Sequence, residues 1–141
     1  MITDLPAWRR IPTMECKGLC TDSCSMVEAS QMERAILRRH GFDLPPITEA
    51  LTAYLRDGDY TCPLLKDGRC QAYSVRPTVC RSWGAVEGMP CPHGCVPKDG
   101  LLPDAIAREA LASTYRPGEL EAMGADEEVA ALVKTLRERR K

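Results

Sequence analysis

Eight of the 141 residues are cysteine: Cys16, Cys20, Cys24, Cys62, Cys70, Cys80, Cys91 and Cys95. Thiolate is a soft ligand that suits zinc and iron–sulfur clusters. Four thiolates close a tetrahedral zinc site or hold one [4Fe–4S] cluster. Eight could fill two such sites, or fill one and leave spares. The standard zinc ribbon carries two C-x2-C pairs, and this chain has none. Its spacings are C-x3-C within Cys16–Cys24 and Cys91–Cys95, C-x7-C from Cys62 to Cys70 and C-x9-C from Cys70 to Cys80. These wider knuckles lean towards iron–sulfur, but spacing alone leaves both a [4Fe–4S] cluster and zinc open.

Disulfides are the competing use of eight thiols. They belong to oxidising compartments. The start, MITDLPAWRRIP, has an early acid, a proline and no apolar segment, so it does not read as a signal peptide. No run is long enough to span a membrane. The expectation is a cytoplasmic protein whose thiols stay reduced and bind metal.

Other residues could take part. Arg69, Arg76 and Arg81 lie beside the thiolates in sequence, and guanidinium groups would offset the negative charge of a thiolate site and tune a redox potential. Arg76 and Arg81, flanking Pro77 and Cys80, are the expected functional pair; surface solvation is the plainer role. His93, between Cys91 and Cys95, is expected to be an exposed loop residue rather than a ligand. His40 is expected to close a helix.

The elements that must position these residues can be read from pattern. Residues 1–15 read as an irregular arm held down by Trp8, Ile11 and Met14. Ser30 and Glu33 form a capping box, predicting a helix over 31–40 with Gly41 as its stop and an apolar stripe of Met32, Ala35 and Ile36. Pro46 opens a second helix to residue 57, with Ile47, Leu51, Tyr54 and Leu55 inward and Gly58 at its end. Asp67-Gly68 predicts a hairpin near 60–73 that returns Cys70 towards Cys62. Pro77 restrains Arg76 to an extended conformation and starts the turn to Cys80. Residues 84–100, rich in Gly and Pro, need a staple to be ordered.

After residue 100 the cysteines stop. Helices are expected from 103 to about 115, through Ile106, Ala110 and Leu111, and again after Asp126, where Val129, Leu132, Val133 and Leu136 recur at i, i+3, i+4 and i+7. The fold expected is α+β, mostly helical and irregular. It is a single domain, 1–141, with a cysteine-rich metal-binding part at 16–97 and a helical tail at 101–141. The tail reads as a lid on the metal-bound half; a helix that docks a protein partner is the sharper alternative.

Composition supports a metal-stabilised fold. Aromatic residues are only 5% of the chain, and there are 11 Pro and 10 Gly. A core of small apolar side chains at roughly 25 cal/mol per Å² leaves a thin margin. The net charge of −1, from 19 basic and 20 acidic residues, lacks the basic excess of a nucleic-acid binder. The closing RERRK run reads as a helix end complementing its own dipole.

The stretch CPLLKDGRCQAYSVRPTVCRSW closely resembles the second half of the YkgJ-like cysteine-cluster family, a zinc- or iron-chelating domain of the CxxCxxCC type. Its pattern there is C-P-[FL]-L, a short turn, G-x-C-x-[IA]-Y and x-x-R-P-x-x-C-R. The matching residues are Cys62, Pro63, Leu65, Gly68, Cys70, Tyr73, Arg76, Pro77, Cys80 and Arg81. The family's upstream cluster ends in two adjacent cysteines. Here Cys16, Cys20 and Cys24 are evenly spaced and Ser25 stands where the adjacent one would fall. Cys91 and Cys95 are candidates to replace it. The resemblance runs from Cys16 to about Trp83 and implies metal chelation. It also implies an alternative: one branch is similar to flagellin lysine N-methylases, and oxidoreductase labels are attached to others. No Gly-rich strand–turn–helix stretch for a nucleotide-like cofactor is present. No acid–base pair or activated nucleophile stands out, so a non-enzymatic metal protein is the primary expectation.

Overall fold

A computed structural model describes residues 4–13, 27–124 and 126–139. Met14 and the first cysteine group, Cys16, Cys20 and Cys24, lie outside the described residues. The chain is α+β and mostly helical. In order it forms α1 (Pro6–Arg10), α2 (Gln31–Arg39), α3 (Ile47–Asp57), β1 (Leu65–Lys66), β2 (Arg69–Cys70), a 3-10 turn (Tyr73–Val75), α4 (Thr78–Ser82), α5 (Asp104–Ala112), α6 (Glu119–Gly124) and α7 (Glu127–Arg139).

The arm at the start is not irregular throughout. Pro6 supplies a pre-set φ for the first turn of α1, and the short helix buries Ala7 and Trp8. Ile11 is buried behind it, as expected. The α2 capping box is complete: the Glu33 N–H donates to the Ser30 hydroxyl, and the Ser30 N–H donates to the Glu33 carboxylate. The buried residues of α2 are Glu33, Ile36 and Leu37, so the inward stripe includes a carboxylate. Met32 and Ala35 are only half-buried. His40 caps the helix and its Nδ1 lies 3.0 Å from the Ile36 carbonyl.

α3 ends on Gly58 in the left-handed region, at φ 72°. Ala50 and Leu51 face inward. Tyr54, expected inside, is 39% exposed; its ring meets Tyr60 edge-on at 5.4 Å. Arg34 ties this region together by donating to the carbonyls of Ala29, Leu44 and Pro45 while pairing with Glu28.

The hairpin forms as the turn residues require. Asp67 at φ 51° and Gly68 at φ 74° give two consecutive left-handed residues, the signature of a tight two-residue reversal. The pairing is antiparallel, Leu65 with Cys70 and Lys66 with Arg69. The segment after α4 is held by backbone. Gly84 and Pro90 form one isolated bridge, and Val86 and Leu102 another. The Gly88 N–H also donates to Asp104 at 2.7 Å, and a Cβ on Gly88 would fall 2.9 Å from that carboxylate. The bond fastens the loop to the first turn of α5, and a larger residue at 88 would have to displace the Asp104 carboxylate.

The tail adds one element that pattern did not suggest, the short α6. Asp126 caps α7 by accepting from the N–H groups of Glu128 and Val129. Within α5, Ala110 is fully buried, whereas Ile106 is 37% exposed and does not join the core. α5 packs on α1 and α4, and α7 packs on α3. No helix among the described residues is long and apolar enough to cross a membrane.

Candidate metal centre

Five of the eight cysteines are described. Cys62, Cys70, Cys80 and Cys91 are partly buried and Cys95 is buried; none of the five is in a disulfide. Cys62 opens the turn Cys62-Pro63-Leu64-Leu65, closed by the Leu65 N–H donating to the Cys62 carbonyl at 3.1 Å. The ladder then returns on the other strand, with the Gln71 N–H donating to the Leu64 carbonyl. The reversal therefore brings Cys70 alongside the Cys62 turn, and both thiols pack against the same apolar cluster.

The surroundings of Cys62 suit a thiolate that has a cation to meet. Burial pushes its thiol pKa up, and the charge of Cys70 adds to this. The nearby backbone N–H groups of Leu64 and Leu65 act in the opposite direction. Without a metal, burial wins and the proton is favoured.

Cys91 sits in a similar turn. It is also followed by proline, in Cys91-Pro92-His93-Gly94. The His93 N–H donates to the Cys91 sulfur at 3.3 Å, and the Gly94 N–H donates to the Cys91 carbonyl at 3.2 Å. His93 is exposed, as expected. Both Cys-Pro turns are thus closed by a backbone N–H donating to the cysteine carbonyl, and in the Cys91 turn a second N–H meets the sulfur.

Cys80 is positioned differently, inside α4. Arg76 is extended, at φ −64° and ψ 146°, and Pro77 leads into the helix as its restraint requires. Arg81 closes the segment: its Nε donates to the Arg76 carbonyl at 2.7 Å and its Nη2 to the Ser74 carbonyl at 2.9 Å. Its guanidinium also lies over the Trp8 ring at 4.0 Å. Burial and the like charge of Arg76 lower the Arg81 pKa, while Asp4, Glu33 and the Cys80 sulfur oppose that shift. Arg81 is thus within electrostatic reach of Cys80. Arg76 turns towards Tyr73, whose ring and carbonyl it contacts. Arg69 is exposed on the hairpin.

Among the described residues, no three Cys, His, Asp or Glu side chains converge closely enough to hold a metal ion. The structure brings together the Cys62–Cys70 pair. It places Cys80, Cys91 and Cys95 on the segments that follow.

The comparisons with known proteins bear on the cysteine-rich part of the chain. The family model CxxCxxCC, described as "Putative zinc- or iron-chelating domain", matches residues 15–96. The chain belongs to this family. The matched span is more than half of the 141 residues and contains all eight cysteines. It reaches past Trp83, where the motif resemblance ends, and so takes in Cys91 and Cys95. No curated protein and no solved structure matches the chain.

One important residue has no place in the cysteine pattern. Glu33 has no exposed surface, yet its carboxylate receives hydrogen bonds from Trp8, Ser30 and Thr78. The available signal was its spacing. Glu33, Ile36 and Leu37 fall at i, i+3 and i+4, so the carboxylate shares the apolar face of α2.

Proposed function

We propose that the protein holds its metal through cysteine thiolates drawn from Cys16, Cys20, Cys24, Cys62, Cys70, Cys80, Cys91 and Cys95, as a [4Fe–4S] cluster in preference to zinc. Its role is structural, electron-carrying or adaptor-like rather than catalytic. The observations that support the reading are the hairpin, which returns Cys70 alongside the half-buried Cys62, and the Cys91 turn, where the His93 N–H donates to the sulfur. Hydrogen bonds to sulfur are a means by which proteins tune a cluster. The three-residue knuckles favour iron over zinc.

Arg81, within electrostatic reach of Cys80, offsets part of the negative charge that several thiolates build up, and Arg76 supports it from the same turn. When bound, a cluster supplies one-electron chemistry and a zinc ion supplies cross-linking alone. The chain's own residues hold the sulfurs, shield them from water and supply N–H donors. Residues 1–141 act as one domain in which 16–97 carry the ligands and 101–141 cover them.

Anaerobic purification followed by metal analysis and a visible spectrum tests the proposal. Brown protein with near-stoichiometric iron and sulfide is expected. Colourless protein with tightly bound zinc removes the iron preference. A reduced, folded protein that retains neither metal overturns the reading.

A further inference from the structure

The Glu33 carboxylate accepts four hydrogen bonds. Oε1 receives the Ser30 N–H at 3.0 Å. Oε2 receives the Trp8 indole N–H at 3.2 Å, the Thr78 N–H at 2.5 Å and the Thr78 hydroxyl at 2.7 Å. The donors come from α1, the start of α2 and the start of α4. None of the ion pairs formed among the described residues involves Glu33.

A buried carboxylate of this kind is a weak device for stability, because apolar groups of similar volume often serve as well. What it adds is direction. Two of its four donors belong to Thr78, the first residue of α4, two positions before Cys80. The rest of α4 is tied locally, by the Ser82 hydroxyl donating to the Thr78 carbonyl at 2.8 Å and by the Arg81 bonds. Cys70 needs no such post, because it is paired in the hairpin ladder, and Cys62 is tied to that ladder by the turn to Leu65. Cys80 has no ladder, and its place depends on how α4 docks.

We propose that Glu33 is a positioning residue of the metal centre: through Thr78 it fixes the start of α4 and with it the place of the Cys80 sulfur, two residues on. The inference rests on the metal-chelating reading, in that it takes Cys80 as a ligand. It assigns a role at the metal to a residue that cannot itself touch it.

The test reads each cysteine separately. The full-length chain is loaded with zinc, and in a second preparation with iron and sulfide. It is then exposed to iodoacetamide, and alkylation is followed cysteine by cysteine by mass spectrometry. Thr78→Val removes the hydroxyl donor and keeps the shape. It is expected to speed alkylation of Cys80 about tenfold, while Cys62 and Cys70 stay within about twofold of the parent protein. Thr78→Ser restores protection. Glu33→Gln gives the same selective rise at Cys80. Leu51→Ala, a destabilising change in α3, speeds all three thiols together and shows what a merely structural loss looks like. A rise in step at Cys62, Cys70 and Cys80 in Thr78→Val, or no rise at Cys80, overturns the proposal alone. If neither metal protects any cysteine in the parent protein, the metal reading falls and the proposal falls with it.

Discussion

Cys70 and Cys80 differ in how their sulfurs are held, one by a strand pairing and the other by a short docked helix, yet each is needed if the site takes ligands from both segments. Cys70→Ser or Cys80→Ser replaces a soft thiolate with a hydroxyl that stays protonated at neutral pH. Each variant is expected to lose its metal on gel filtration and to show a weakened near-ultraviolet circular dichroism spectrum. Metal per chain unchanged in both would contradict the assignment. Glu33→Ala acts through another route. It leaves the Trp8 indole, two backbone N–H groups and the Thr78 hydroxyl without an acceptor in a dry interior. The expected loss is roughly 3–5 kcal/mol, read as a shift in the urea midpoint of the metal-loaded protein. The capping box itself is legible in sequence, since Ser30 and Glu33 are three residues apart. The carboxylate's other partners are not, because Trp8 lies 25 residues away and Thr78 lies 45 away. Local pattern carries no information about donors that distant.

At the scale of elements, legibility follows length and turn chemistry. α2 and α3 are seen from sequence because caps and breakers mark both of their ends. The hairpin is seen because Asp67-Gly68 supplies two left-handed residues in succession. α1 and α6 are missed because five and six residues are too few for a helical period to declare itself. Ile106 and Tyr54 are misplaced because periodicity names a face but not how wide the covering neighbour is. The hairpin offers a direct check. A Cβ added at Gly68, where φ is 74°, would have nothing within 4 Å, so a side chain there meets strain and no clash. Gly68→Ala is expected to cost about 1 kcal/mol through backbone conformation alone. It is also expected to speed hydrogen exchange at the amides of Cys70 and Gln71. An unchanged melting temperature with unchanged exchange would show that the turn does not set the pairing. Tyr115, just beyond α5, supplies a second check. Burial, and after it the charges of Glu33, Glu28 and Glu119, push its phenol up to about 12, with Arg34 opposing. The folded state therefore holds this proton more tightly than the unfolded chain, whose phenol titrates near its ordinary value of about 10. That stabilisation is fully present below about pH 10 and is lost as pH rises towards about 12. Tyr115→Phe should flatten this part of the alkaline decline in urea midpoint. An equal decline in the variant would assign the slope to other groups.

Across the whole molecule, apolar burial is unevenly spread. Among the described residues, the large buried apolar side chains belong to the first half: Leu5, Trp8, Ile11, Ile36, Leu37, Leu44 and Leu51. Between 60 and 100 the buried apolar residues are small: Ala72, Val75, Ala85, Val86 and Cys95. At roughly 25 cal/mol per Å², side chains of this size offer little against the conformational entropy of ordering so irregular a segment. Its backbone bonds mostly close local turns, and much of it is exposed. Five of the eight cysteines lie in this weak region, so the energy of metal binding and the energy of ordering the segment are coupled. Removing the metal with a chelator under reducing conditions is therefore expected to act regionally. Amide protection should fall across 60–100, the Cys62–Cys70 hairpin and α4 included, while the centres of α2 and α3 keep most of theirs. Hydrogen exchange read by mass spectrometry, with and without chelator, distinguishes this from two other outcomes. Uniform loss over the described residues would mean that the metal supports the whole fold as one cooperative unit. No loss between 60 and 100 would mean that packing alone orders the segment, and the thiolates would then need a different explanation.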